Sequence, residues 1–136
     1  MASYLMAEYI VDTDICNAVL KHNRPVIDKF IEHQGKVNVS SISCYELQFG
    51  TEKGDSEHRQ SKESKLSFFL EGVNLIDFDW AAARESAKVR EELRSGQQIG
   101  AYDTLLTGHA RSRGMVTYNQ RKFSRVSGLQ LADWLG

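Results

Sequence analysis

Glu8-Tyr9-Ile10-Val11-Asp12 is the stretch from which the fold can be read: Tyr9, Ile10 and Val11 form a short β-favouring run that ends on a carboxylate. Downstream, Val26, Ile27, Phe30 and Ile31 recur at helical spacing, with Pro25 near the start of that helix. Val37-Asn38-Val39-Ser40 reads as a second strand. Ser41 is placed to cap a helix carrying Ile42, Tyr45, Glu46 and Phe49, and Gly50 stands where that helix is expected to stop. The polar stretch 51–65 reads as an exposed loop, followed by a helix near 66–70. A third strand is expected at 73–78, with Asp79 capping a helix from Trp80 to about Arg94. After a loop at 96–100 comes a helix from Tyr102 to Arg113, closed by Gly114. Met115-Val116-Thr117-Tyr118 reads as a fourth strand and Leu129-Gln130-Leu131 as a fifth.

Short strands separated by helical segments specify an α/β chain, with helices on both faces of a mainly parallel sheet of four to five strands. At 136 residues, one domain covering 1–136 is expected, with residues 1–7 a tail and Met6 an alternative start. Apolar residues at 41% and charged residues at 26% belong to a globular chain and exclude a disordered one. Cys16 and Cys44 make neither a disulfide framework nor a zinc spacing, which fits a reduced cytoplasmic setting. The N-terminus does not read as a signal peptide, and no apolar run is long enough for a membrane span. Net charge is −1, but up to residue 83 acids exceed bases by five, and from residue 84 bases exceed acids by four. That polarity could suit a phosphate-facing side, but taken alone it reads better as an uneven scatter of solvated charge.

Ligands of open α/β sheets bind beyond the carboxyl ends of the strands, which makes the acids there worth locating. Asp12 ends the first strand, followed by Thr13 and Asp14. Glu46 lies a turn or so into the helix after the second strand, Asp103 opens the helix after the 96–100 loop, and Asn119 follows the fourth strand, two residues after Thr117. Gathered carboxylates repel, and a hard divalent cation such as Mg2+, or Mn2+, relieves that penalty while retaining waters able to attack a phosphodiester. Taken singly, Asp12, Asp14 and Asp103 are as well explained as helix caps, and Glu46 as part of a solvated face.

Five strings carry a resemblance. They are Ile10-Val11-Asp12-Thr13-Asp14-Ile15-Cys16, Ser40-Ser41-Ile42-Ser43-Cys44-Tyr45-Glu46-Leu47-Gln48-Phe49-Gly50 and Ile99-Gly100-Ala101-Tyr102-Asp103-Thr104-Leu105-Leu106-Thr107-Gly108-His109-Ala110-Arg111. The others are Val116-Thr117-Tyr118-Asn119-Gln120-Arg121-Lys122-Phe123-Ser124-Arg125-Val126 and the tail from Gly128 to Trp134. In this order they resemble the VapC branch of the PIN-domain family, over about residues 10–134. The resemblance implies an α/β/α sandwich and a metal-dependent endoribonuclease that cuts single-stranded or loop RNA, often transfer RNA. It implies a toxin held inactive by a VapB-type antitoxin, a homodimer, and operator DNA bound only by the toxin–antitoxin complex. Asp12, Glu46 and Asp103 match the metal-pocket acids of the family, and Asn119 a fourth position that is Asp or Asn. Asp14 stands where the family usually has Asn, the acid that many relatives carry near Lys122 is absent, and the strand before Asn119 looks about two residues short. A module that binds antitoxin and operator without cutting, and a metal nuclease acting on DNA, are the rival readings.

Thr107, at i+4 from Asp103, lines the pocket or packs. Arg111, Arg113, Arg121, Lys122 and Arg125 cluster around the last pocket position, as phosphate contacts or as solvated surface. Tyr102 and Tyr118 flank pocket residues, where they stack a base or pack. His22, His33, His58 and His109 show no pairing for acid–base work and read as surface or partly buried. The two cysteines read as small core residues.

Overall fold

In the computed structural model the described residues are 7–96, 98–118, 121–132 and 134. The strands are β1 (Tyr9–Val11), β2 (Val37–Ser40), β3 (Asn74–Ile76), β4 (Val116–Tyr118) and β5 (Gln130–Ala132). The helices are α1 (Thr13–Leu20), α2 (Arg24–Glu32), α3 (Ser41–Glu52), α4 (Ser56–Glu71), α5 (Trp80–Glu92) and α6 (Ala101–Arg113), with a 3-10 segment at Arg121–Arg125. The five strands form one sheet in the order β3-β2-β1-β4-β5, and every neighbouring pair is parallel. This is the α/β architecture that the strand–helix alternation predicts.

β1 lies at the centre and all three of its residues are buried, as expected where helices cover both faces. Tyr9 and Val11 join Val37, Val39, Ile15, Val26, Leu47, Leu66 and Phe69 in the core beneath α1 to α4. Ile10, between them, points the other way and packs on Ala110 of α6 and Met115. The period of two along a strand thus serves two cores at once. α5 packs along α6 through a very close approach at Gly108: a Cβ there would fall 2.5 Å from the Ser86 backbone nitrogen and Cα.

Side-chain caps set most of the helix starts. Asn23 caps α2, Asp55 caps α4 and Asp79 caps α5, each accepting from the backbone N–H three residues on. Gly114, at φ +64°, closes α6 in the left-handed conformation that glycine adopts at no steric cost.

The structure corrects several expectations. α1, unassigned from sequence, occupies Thr13–Leu20. The stretch read as a loop at 51–65 is helical almost throughout: α3 continues through Gly50 to Glu52, and α4 begins at Ser56. Glu, Lys, Arg and Gln are good helix formers, so polarity there marks a solvated helix rather than a loop. Ser40, not Ser41, caps α3 by accepting from Ile42 N at 3.1 Å, whereas the Ser41 hydroxyl accepts from Phe78 N at 3.0 Å. Among the described residues no helix is long and apolar enough to cross a membrane.

Candidate active site

The carboxyl ends of β1 and β2 and the first turn of α6 converge on a cavity of about 220 Å³. Its walls are Asp12, Thr13, Asp14, Glu46, Gly100, Ala101, Tyr102, Asp103 and Leu106. Asp12, only 3% exposed, has two positions to satisfy: it lines this cavity, and its Oδ1 accepts from Ile15 N at 2.9 Å as the cap of α1. The sequence posed capping and pocket lining as alternatives for this residue, and the fold uses both. Thr13 donates from its hydroxyl to Glu46 Oε1 at 2.5 Å, and its oxygen lies 3.3 Å from the hydroxyl of buried Ser43. That hydrogen bond ties α1 to α3 and fixes where Glu46 points. Asp103 lies in the first turn of α6, a helix start without a side-chain cap. A Cβ on Gly100 would sit 3.4 Å from Asp103 Oδ2, so glycine there leaves the carboxylate its room.

Tyr45 and Tyr102 stand at the rim with ring centroids 5.8 Å apart, and remain 57% and 42% exposed. A hydrogen bond that the Tyr102 hydroxyl donates to Tyr45, then burial and, further down, the charge of Glu46 push the Tyr102 phenol above its ordinary pKa. Burial, and next the negative charge of Asp12, push the Cys16 thiol well up, and burial also raises Cys44, so both are inert thiols as read from the sequence.

Four carboxylates and a threonine hydroxyl offer only oxygen, the donor set of a hard cation. Yet among the described residues no three His, Cys, Asp or Glu side chains stand close enough together to form a closed ligand cluster. Magnesium does not demand one, because it is commonly held by one or two carboxylates with water and substrate phosphate completing the shell.

The other sequence candidates separate. Asn119 lies outside the described residues, as do the side chains of Tyr118, Arg121 and Lys122. Thr117 is buried in β4 opposite Ile10 of β1, and is not in the cavity wall. Thr107 is buried too, donating to Thr104 O at 3.0 Å, so packing is its role. Arg111 is no phosphate ligand. Only 12% of its side chain is exposed, and it donates to Glu85 at 2.7 Å, Glu92 at 2.9 Å and Ser127 O at 3.0 Å, joining α5, α6 and the C-terminal segment. Arg113 and Arg125 are exposed. His109, expected at or near the surface, is fully buried: Nδ1 shares a 3.0 Å hydrogen bond with the Ser40 hydroxyl, Phe78 meets the ring edge-on, and Nε2 has no partner among the described residues.

The sequence did not disclose two further depressions. One, of about 740 Å³, shares Thr13, Asp14, Glu46 and Tyr102 with it and extends along α3 and α4. The other, of about 590 Å³, is an apolar groove among α1, α2 and α4, lined by Val19, Ile27, Phe30, Ile31, Phe68 and Phe69.

A PIN-domain family model matches residues 9–129, and the chain belongs to the PIN-domain family. Within it the similar proteins are VapC proteins. The chain is 39% identical over 134 residues to the tRNA(fMet)-specific endonuclease VapC of Shigella flexneri, covering 95% of this chain and 99% of that protein. A crystal structure of DNA-bound VapBC from Salmonella typhimurium matches with TM-score 0.86 at 31% identity, over 94% of this chain and 98% of that one. VapBC2 from Rickettsia felis, bound to a promoter DNA fragment, matches with TM-score 0.85 at 29% identity, over 93% and 98%. The VapC resemblance read from five strings of sequence is thereby borne out, together with its fold.

Proposed function

We propose that this chain is the toxin of a toxin–antitoxin pair and acts as a metal-dependent endoribonuclease on single-stranded or loop RNA, with transfer RNA the first candidate. The observation that carries the reading is the convergence of Asp12, Glu46 and Asp103 from three separated segments on one small all-oxygen cavity. The name of the Shigella flexneri relative, a tRNA-specific endonuclease, supports the substrate class. Asp12, Asp103 and Glu46 would hold Mg2+, or Mn2+ in its place, with Asn119 a fourth contributor and Asp14 adding charge at the rim. When bound, the cation supplies charge neutralisation at the phosphate and a more acidic water. The residues of the chain do the positioning: Thr13 holds Glu46, the α1 backbone holds Asp12, and the Tyr45–Tyr102 pair offers ring faces to an unpaired base. Attack of water on phosphorus with departure of the 3′ oxygen leaves a 5′-phosphate and a 3′-hydroxyl.

The apolar groove is where a VapB-type antitoxin would bury an apolar helix face, a mode in which hydrophobic anchors supply the affinity. The VapBC–DNA structures support assignment of operator DNA to the toxin–antitoxin complex. The cytoplasm and a homodimer complete the proposal. A partner-binding module without chemistry is the second reading, favoured because the described residues form no closed ligand cluster. Incubating the purified chain with total cellular RNA, with Mg2+ and with EDTA, separates the two. Cutting that stops with EDTA and in Asp12→Asn is the expected result, whereas cutting that survives either one refutes the metal-pocket mechanism. RNA left intact under every metal condition favours the binding module.

A further inference from the structure

We propose that the depression along α3 and α4 is the path of the RNA backbone into the acid pocket, its phosphates seated on Lys21, Lys53, Lys62 and Lys65. The inference rests on the ribonuclease reading and adds to it where the strand runs. The four lysines come from places well separated in sequence: Lys21 follows α1, Lys53 caps the end of α3, and Lys62 and Lys65 lie a turn apart on α4. They nevertheless line one depression of about 740 Å³, which opens into the acid pocket through the walls shared at Thr13, Asp14, Glu46 and Tyr102.

Three features favour a nucleic-acid strand. All four lysines are exposed, and among the described residues none is within 4 Å of a carboxylate, whereas Lys29 and Lys88 elsewhere are paired. Two of the cationic heads are already drawn in by local contacts. Lys53 Nζ lies 5.6 Å from the centre of the Phe49 ring, and Lys62 Nζ lies over Gly54, 2.9 Å from where a Cβ would stand. The same wall carries exposed aromatic rings one helical turn apart, Tyr45 and Phe49, with Tyr102 facing Tyr45. Cationic side chains that track a backbone, interleaved with rings on which bases stack, are the composition of single-strand binding grooves.

The arrangement also resolves an electrostatic difficulty. A pocket rich in carboxylates repels a polyanion, so flanking phosphates need their own cationic seats if one phosphate is to be delivered to the acids. The lysine end and the acid end of the continuous depression divide that labour.

The test is binding of a labelled single-stranded RNA oligonucleotide to the full-length chain in EDTA, so that no cutting intervenes, from 50 to 200 mM salt. For the exposed pairs Lys62→Gln/Lys65→Gln and Lys21→Gln/Lys53→Gln, Kd is expected to rise roughly tenfold per pair, and the slope of log affinity against log salt to shrink by about 0.7 per lysine removed. Thermal unfolding of the same variants, unchanged, excludes misfolding as the cause, and Arg113→Gln/Arg125→Gln is the comparison. Lysine pairs with unchanged Kd and slope, or a loss carried instead by the arginine pair, overturn the proposal. So does a lysine variant that binds RNA normally but loses affinity for the cognate antitoxin, because the groove then seats an acidic protein segment. Lysine-dependent RNA binding in a chain that cuts nothing in Mg2+ or Mn2+ upholds the groove while rejecting the nuclease reading, so the two fail separately.

Discussion

The acid pocket and the apolar groove take opposite ends of α1 and are built by opposite rules. Thr13 and Asp14 at the start of the helix belong to the pocket, whereas Val19 near its end belongs to the groove. In the pocket, polar groups are buried in a network: Asp12 on a backbone N–H, Thr13 on Glu46, Ser43 behind them. In the groove, large apolar groups are left in water, Phe68 at 79% exposure and Ile31 at 60%. Each is the reverse of what folding alone selects, since buried charge and exposed aromatic surface both cost free energy. The pair of exceptions sets the proposed place for chemistry apart from the proposed place for a partner.

That contrast breaks most sharply at Asp12. Asn is as good a helix cap as Asp, so Asp12→Asn removes the charge and spares α1. RNA cutting is expected to fall by about 10²–10³-fold, the loss of several kcal/mol of charge stabilisation, with antitoxin affinity within about twofold. Equal loss of both in a gel-based cleavage assay and a titration would mean that the two regions are not independent. Gly108→Ala probes the support of the pocket alone. With Ser86 N and Cα 2.5 Å from the new Cβ, α5 and α6 must separate, at a cost of about 3 kcal/mol in urea unfolding. Ser86→Ala does not rescue it, because the clash is with backbone. Asp103 shifts with α6, so cutting suffers, while the groove, which α6 does not line, keeps its shape. Phe68→Glu is the converse probe: antitoxin affinity drops about 30-fold, near 2 kcal/mol, with stability altered by no more than about 0.5 kcal/mol because the ring is already in water.

The smallest effect is one of pH. Burial holds His109 below its ordinary pKa, opposed by nearby Asp79 and reinforced by Arg113, with the Ser40 hydroxyl and the Phe78 ring in contact. Below about pH 6.5 the unfolded chain therefore takes up a proton that the folded chain resists, and stability falls as pH falls. The slope contributed by one histidine is at most about 1.4 kcal/mol per pH unit. His33, also lowered by burial, adds to the slope in the same direction. A His109→Gln variant with the same pH profile as the unaltered protein would remove His109 from this account.

Much of the framework was legible in the sequence because its signals are local. β1 and β2 are short β-favouring runs, and Asp79 and Gly114 punctuate α5 and α6, whereas the helix that Asp12 begins and the Ser40 cap of α3 were not read. Residues 12, 46 and 103 were singled out by their expected nearness to one end of the sheet together with the resemblance of their strings, and all three line one cavity. What stayed hidden depends on distant partners. Arg111 looked available for phosphate because Glu85 and Glu92 lie 26 and 19 residues away along the chain. The part of α4 before Leu66 looked like a loop because its buried residues, Leu66 and Phe69, both lie beyond it, leaving no apolar stripe to show a helical period. The basic C-terminal half uses Arg111 internally, and the four lysines that line the depression come from the acidic half, two at the ends of α1 and α3 and two on α4.

Leu20 and Lys65 border both the lysine-lined depression and the apolar groove. Two occupants that share a wall share a binding equilibrium. By the factor that a seated inhibitor weakens the hold on a transcript, a held transcript weakens the hold on the inhibitor. With RNA on the lysines and an antitoxin in the apolar groove, as proposed, silencing would be a contest decided by the relative concentrations of transcript and inhibitor.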